Sequence, residues 1–443
     1  MDQENNYNTR LLKWYFTSNK LVEIIKITND NSIRQIIRYR NQFRDIIFFS
    51  SQNDKFNENE SKLYWINKSD IDKINNNNIE NNKETEDCQI YLNYITFCYN
   101  NTKINGSIWD FFIDSNTLYL SIPLITLDEN RLSGFTTSAR LFYFNILDIF
   151  TFFGLIPKNN IDVLCLIGNT KYPAGFDINS ISTVQVITNP KTNKVYIYTL
   201  SDFLYQILSI INSNAFNKIS NLIKLNTNYT LLDIILAIRN IFLNFDIEGT
   251  RIFEFSKDDL YKINEITINT VVGDPPYNTL NKSTTSNGYN SYTNGYTWCA
   301  TSEKNNFYFG TLDIRSTIYS SLVLIIVQFL NNPPGLYEFL ISLPEDLIII
   351  ITELFNPNFC IGNLEDLEDK KLYFDIINIK NDNISKITSS GFNLLNSINK
   401  FSDDGVRNLN IIKSCKNKYL LIGTTCYQPT NKSKNYLYNI SDE

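Results

Sequence analysis

Chain reversal is the resource that this sequence holds in shortest supply: 15 glycines and 11 prolines punctuate 443 residues. A molecule of many short strands reverses roughly every 8–12 residues. It draws on glycine for positive φ and on proline for a preset φ. The scarcity of both argues against a turn-dense β-sandwich. It points to an α+β fold of mixed helices and mainly antiparallel strands, in two or three sub-domains. Hydrophobic residues at 43% and aromatics at 14% suffice for a well-buried core, so disorder throughout is excluded.

The second constraint concerns chemistry. The chain contains no histidine, the side chain best suited to proton transfer near neutral pH and the commonest metal ligand. Most hydrolase triads and Cys/His zinc sites are thereby removed, and no metal site is expected. The seven cysteines are odd in number, scattered and without a CxxC pair; they read as free thiols of a reducing compartment. Charged residues reach only 19%, below the usual quarter. Asparagine stands at about one residue in seven, so solubility leans on Asn, Ser and Thr. That bias, with Ile, Tyr and Phe, suggests an AT-rich coding sequence of the kind found in viruses and selfish elements. A net charge of −6 and a pI near 5.1 disfavour bulk nucleic-acid binding.

MDQENNYNTR at the start offers no apolar signal core. The longest apolar runs, Ser321–Leu330 and Asp346–Phe355, fall short of the roughly 20 residues that span a bilayer. A soluble, cytoplasmic protein is expected.

Along the chain, four regions are expected: an N-terminal helical segment (1–67), a low-complexity linker (68–87), a central α+β domain (88–272) and a C-terminal α+β domain (273–443). Ile33, Ile36, Ile37, Phe43, Ile46 and Ile47 fall near a 3.6 period and predict a helix over Ser32–Phe48. Residues 88–127 read as strands. Thr136–Gly154 is apolar all round and should be buried. Thr183–Thr188 and Lys194–Thr199 alternate around NPKTN, which predicts a hairpin with Val184, Val186, Val195 and Ile197 in the core. Helices are expected over 201–211 and 230–245, two more across 321–355, an irregular stretch over 278–306, and strands at Lys371–Ile379 and Leu420–Gly423.

The sharpest motif is TVVGDPPYN, Thr270–Asn278. It resembles the DPPY signature of the amino-methyltransferases that modify adenine N6 or cytosine N4. That resemblance implies that Asp274 accepts from the target amine, that the Pro275 carbonyl assists and that Tyr277 stacks on an extruded base. It also implies S-adenosylmethionine as cofactor and a Gly-rich loop to hold it. The nearest candidates, Leu164–Thr170 and Leu421–Thr425, lack a second glycine. NNPPGLYEFLISLP, Asn331–Pro344, is similar to a proline-led strand of parvovirus-type capsid proteins. Arg34, Arg38, Arg40 and Arg44 would share one basic helix face around Tyr39, suited to phosphate or an acidic partner. The acidic run Glu365, Asp366, Glu368, Asp369 lacks the spacing of a calcium loop.

The function expected is therefore a non-enzymatic structural or protein-interaction role. A coat or assembly protein of a virus or virus-like element fits, acting on a protein partner or on copies of itself, without a cofactor, in the cytoplasm or virion. Tyr277, Tyr289, Tyr292, Tyr296 and Trp298 would be its contact anchors. The alternatives are the methyltransferase and an immunity protein of a selfish plasmid.

Overall fold

The computed structural model describes residues 8–15, 20–28, 32–52, 60–72, 93–127, 135–150, 160–177, 181–201, 249–262, 266–276, 278–290, 294–314, 374–388, 405–414, 417–425 and 435–440. Over these residues strand predominates, in several sheets, with only short helical turns. The α+β expectation is overturned.

The strands arrive as successive up-and-down meanders. β1 (Asn8–Tyr15) and β2 (Lys20–Thr28) form an antiparallel ribbon. β3 (Ser32–Arg40), β4 (Asp45–Gln52), β5 (Leu63–Asn67) and β6 (Asn93–Tyr99) then pair in sequence order, all antiparallel. β7 (Thr102–Lys103) turns back on β6. A second meander runs β8 (Asp110–Asp114), β9 (Thr117–Ser121), β12 (Leu141–Asn145) and β14 (Leu164–Ile167). A separate pair, β10 (Leu124–Leu127) with β11 (Phe135–Ser138), interrupts it, and β13 (Asn160–Asp162) adds to β6 in parallel.

A third meander is β15 (Ile181–Thr188), β16 (Lys194–Ser201), β17 (Ile252–Ser256) and β18 (Asn269–Val272), with β19 (Leu280–Asn281) parallel to β18. A fourth is β20 (Asn294–Glu303), β21 (Asn306–Asp313), β22 (Ile376–Lys380) and β23 (Asn383–Thr388). β24 (Gly405–Ser414), β25 (Asn417–Thr425) and β26 (Asn435–Asn439) follow. The last three groups count as one twelve-stranded sheet, but β16 meets β20 through Leu200↔Tyr296 and β21 meets β24 through Leu312↔Gly405, one residue pair each. The four-stranded antiparallel meander is the unit that β-propellers repeat.

The chain divides into two compact units: residues 1–125 with 138–176 and 183–186, and residues 126–137 with 177–182 and 187–443. In the first, Phe48, Trp65, Phe97, Phe111, Phe142 and Phe144 share one buried cluster. Burying each such side chain contributes about 1.5–3 kcal/mol. Phe49, Tyr64 and Ile66 point the other way into a second cluster with Leu11 and Ile71. β4 and β5 are therefore covered on both faces, and their apolar runs lose the alternation that marks a half-exposed strand. That is why the predicted helix over 32–48 is in fact the β3–β4 hairpin. In the second unit Tyr308, Phe374, Ile376, Val406, Leu409, Leu420 and Ile422 pack together.

Turns are made without much glycine because asparagine makes them. Six of the ten described non-glycine residues at positive φ are Asn or Asp: Asn100, Asn101, Asn278, Asn290, Asn381 and Asp382. These residues tolerate the left-handed region better than other L-residues. Side chains also close turns directly. Asn41 Oδ1 accepts from the N–H groups of Phe43 and Arg44, both at 2.8 Å. Asn169 Oδ1 accepts from Lys171 and Tyr172 at 2.9 and 2.8 Å.

Several expectations hold. Residues 93–127 are strand-rich, and the β15–β16 hairpin buries Val184, Val186, Val195 and Ile197. Leu420–Gly423 lies in β25, and the strand expected over Lys371–Ile379 is represented by β22. The described part of 136–154 is largely buried, as β11, β12 and a single 3-10 turn. The stretch 278–306 is not irregular: it holds β19, a turn at Asn287–Asn290 and β20. The helices expected over 202–211, 230–245 and 321–355, the capsid-like segment 331–344 and the acidic run 365–369 lie outside the described residues, as does the linker beyond residue 72. No helix among the described residues is long and apolar enough to cross a membrane.

Candidate functional site

The tandem-proline turn leaves β18 where Val271 and Val272 are still buried. Gly273 follows at φ +94, and a Cβ there would come within 2.8 Å of Arg251 Cγ. Only glycine meets both demands. The turn's amides are consumed internally. Gly273 N–H donates to Thr285 O and Ser283 Oγ, each at 3.1 Å, and Asp274 N–H donates to Asn287 Oδ1 at 2.8 Å. The Pro276 carbonyl accepts from Thr279 N–H and Oγ1 at 3.1 and 2.9 Å. Asp274 and Pro275 are exposed and Pro276 is buried, while Tyr277 lies outside the described residues. β18 pairs antiparallel with β17, and its parallel partner β19 is two residues long.

Asn287 links this turn to a buried polar network in the second unit. Its Oδ1 also accepts from Arg251 Nε at 2.9 Å. Arg251 N–H donates to Thr199 Oγ1 at 2.9 Å. Thr250 Oγ1 donates to Thr199 O at 2.8 Å and lies 2.9 Å from Thr297 Oγ1. Asn294 Nδ2 reaches both Gly288 O (3.0 Å) and Asp375 Oδ2 (2.8 Å). Thr311 Oγ1 donates to Asn294 Oδ1 at 3.0 Å and accepts from Asp375 N–H at 2.8 Å. Lys386 Nζ closes the set 2.9 Å from Asp375 Oδ2. Asp375 is fully buried, and the partnered lysine is what makes its burial tolerable. None of these residues stands in a sequence motif. The one available signal was threonine at inward positions of apolar strands.

The anchors expected in this region divide. Tyr289 and Tyr296 are buried, at 1% and 5% exposure, so they are core residues rather than contact anchors. Burial raises the Tyr289 hydroxyl far above its ordinary pKa. Trp298 is half-buried with the Arg407 guanidinium 4.3 Å from its ring. Tyr292 lies outside the described residues.

The four arginines do not make one helix face, because they lie on and just after a strand. Arg38 grips Asp45 with two bonds, Nε to Oδ1 at 2.7 Å and Nη2 to Oδ2 at 2.5 Å. This hydrogen bonding raises the pKa of Arg38 and lowers that of Asp45. Arg40 stands 4.0 Å from the same carboxylate. Arg34 covers the Trp109 ring and Arg44 the Phe150 ring, each at 3.8 Å. Beside them Phe43 is 83% exposed and Ile36 49%.

The two glycine loops have other duties. Gly168 N–H donates to Tyr172 O at 2.7 Å, closing a turn at the end of β14. Leu421–Thr425 is internal to β25. Among the described residues Cys98, Cys165 and Cys299 are free, and no group of three or more Cys, Asp or Glu side chains gathers to hold a metal. Burial pushes the Cys165 thiol up to about 12, which makes it a poor nucleophile.

No family model and no curated protein matches the chain. Among solved structures, the tricorn protease superposes at a TM-score of 0.33 with 6% identity, over 98% of this chain and 30% of that one. The alpha-L-arabinofuranosidase from Lactobacillus brevis gives a TM-score of 0.33 with 8% identity, over 92% and 90%. This chain thus spans about a third of the protease. Likenesses of this size carry no argument about what the chain does.

Proposed function

We propose that this chain works by contact rather than by bond chemistry, as a structural or assembly protein of the kind a virus or virus-like element encodes, inside the cell or in the virion. The observation that carries this reading is the β3–β4 hairpin. It presents Phe43 at 83% exposure and Ile36 at 49%, beside the exposed Arg38 and Arg40. Aromatic and arginine side chains are the groups that dominate contact energy when a partner covers them. The buried carboxylate Asp375 is, by contrast, spent on holding strands together through Asn294 and Lys386.

Light scattering and capture with tagged protein test the proposal. The wild-type chain is expected to self-associate or retain a partner, and Phe43→Ser to lose at least tenfold in affinity. A strict monomer that captures nothing sinks the idea. So does a rise in melting temperature with S-adenosylmethionine that Asp274→Ala removes, which would reinstate the methyltransferase.

A further inference from the structure

The sequence of β26 is the same in both directions: Asn435, Tyr436, Leu437, Tyr438, Asn439. The strand ends the order of its sheet, and among the described residues β25 is the strand it pairs with. One bond fixes which way its backbone groups point. Ile440 N–H donates to Lys418 O at 2.9 Å, and these two residues continue the register that sets Tyr419 against Asn439. Bonded positions alternate along an antiparallel pair. Tyr438 therefore directs its N–H and C=O toward β25, and Leu437 directs its own away from it. The Leu437 side chain is 64% exposed. It shares a face with Leu421, opposite to the face on which Leu420 and Ile422 enter the core. Exposed edges are normally guarded by charge, proline or a bulge. β3, at the edge of the six-stranded sheet, carries Arg34, Arg38 and Arg40. β26 has no charge and no proline, and its register shows no shift. In the sequence, Lys432 and Lys434 precede it and Asp442 and Glu443 follow it.

We propose that β26 pairs with β26 of a second copy of this chain, antiparallel, about a two-fold axis at Leu437. An axis there matches the palindrome. Leu437 meets Leu437 of the copy, Tyr436 meets Tyr438, and Asn435 meets Asn439. The two Leu437 residues exchange a pair of backbone hydrogen bonds, and their side chains stand on one face, where cross-strand contact adds to the pairing. The antiparallel direction also sets the basic flank of each copy beside the acidic flank of the other, whereas a parallel direction sets like beside like. A closed two-fold contact demands this self-complementarity, and a strand that added to some other protein would not. The surface is separate from the β3–β4 hairpin and does not rest on it.

Sedimentation velocity over a concentration series tests it, with the parent chain, Leu437→Lys and Leu437→Glu. The parent should form a dimer that dissociates on dilution, because a five-residue strand makes a small interface. Each variant alone sets like charges face to face and should weaken the dimer at least about tenfold. Mixed in equal amounts, the two variants should dimerise again, a result that requires position 437 to face itself and both variants to be folded. Phe43→Ser should leave this dimer intact. The proposal fails if the parent stays monomeric throughout the series, if either variant associates as the parent does, or if the mixture stays monomeric. A monomeric chain that captures a partner through Phe43 also overturns it, and leaves the hairpin reading standing.

Discussion

Gly249 shows how little room single positions have. A Cβ built there would lie 2.5 Å from Gly288 N and 2.6 Å from Gly288 Cα. The obstacle is backbone tied by its own bond from Gly288 N–H to Thr250 O at 2.8 Å, so it cannot step aside. Gly249→Ala is expected to cost about 3 kcal/mol in urea denaturation, the upper part of the range for overpacking. A loss under about 1 kcal/mol would show that the turn yields. Lys386 poses the opposite case, a charge whose removal strands another. Lys386→Met leaves Asp375 buried with Asn294 as its remaining side-chain donor. We expect a loss of about 2–3 kcal/mol, discounted because the lysine is itself partly exposed. The double change Lys386→Met with Asp375→Asn should recover part of it. Neither glycine nor lysine could be singled out from the sequence. The contacts that matter join positions 249 with 288 and 375 with 386, and no local spacing encodes those approaches. Tyr289 and Tyr296 were legible as important aromatics. Their burial was not, because aromatic density in an Asn-rich stretch says nothing about which way a ring points.

Between strands, asparagine supplies the turn geometry that glycine usually provides. Asn100 and Asn101 sit at φ 50 and 60 between β6 and β7, the mirror-image geometry that two-residue hairpins prefer. Asn101→Val is expected to cost about 1–2 kcal/mol, the left-handed penalty for an L-residue that cannot bond locally. Asn101→Gly should stay within about 0.5 kcal/mol of the parent, since glycine takes this φ freely. Equal losses for both would mean that the Asn side chain, not its backbone, is what counts. The same feature explains the fold-class correction. Counting Gly and Pro undervalued the turn capacity of a chain in which Asn at about one residue in seven does that work. Strand identity was legible where one face is wet or the alternation is strict, as in β15 and β16. It was hidden in β3 and β4. In β4 both faces are covered, and in β3 a register shift between Ile33 and Gln35 breaks the two-residue period. The meander repeat was invisible for a related reason. The four-strand unit recurs with connections that range from two residues, between β8 and β9, to dozens, between β16 and β17, so no fixed sequence period survives.

For the whole molecule, the missing imidazole has a thermodynamic consequence. Folded proteins usually owe much of their stability change between pH 5 and 8 to histidine, and this chain has none. Among the described residues Asp110, on β8, takes that place. Desolvation raises its pKa from 3.8 to about 7, against smaller downward effects from the Phe111 backbone N–H and the Arg34 charge. The folded pKa is thus above the unfolded one. Below about pH 4 both states hold the proton and the group contributes nothing. Between about pH 4 and 7 the unfolded chain ionises while the folded one does not, so the folded state binds more protons and stability falls as pH rises. Above about 7 the penalty levels off, at an upper limit on the order of 4 kcal/mol. The pairs Arg38–Asp45, exposed, and Lys418–Glu303, half-buried, act elsewhere. Their carboxylates have lowered values, so their contribution is present above the unfolded carboxylate range and is lost in acid. Denaturation at pH 5 and pH 8 should therefore find the parent chain less stable at the higher pH, and Asp110→Asn should flatten most of that difference. If the variant keeps the full slope, the titrating group lies elsewhere in the chain.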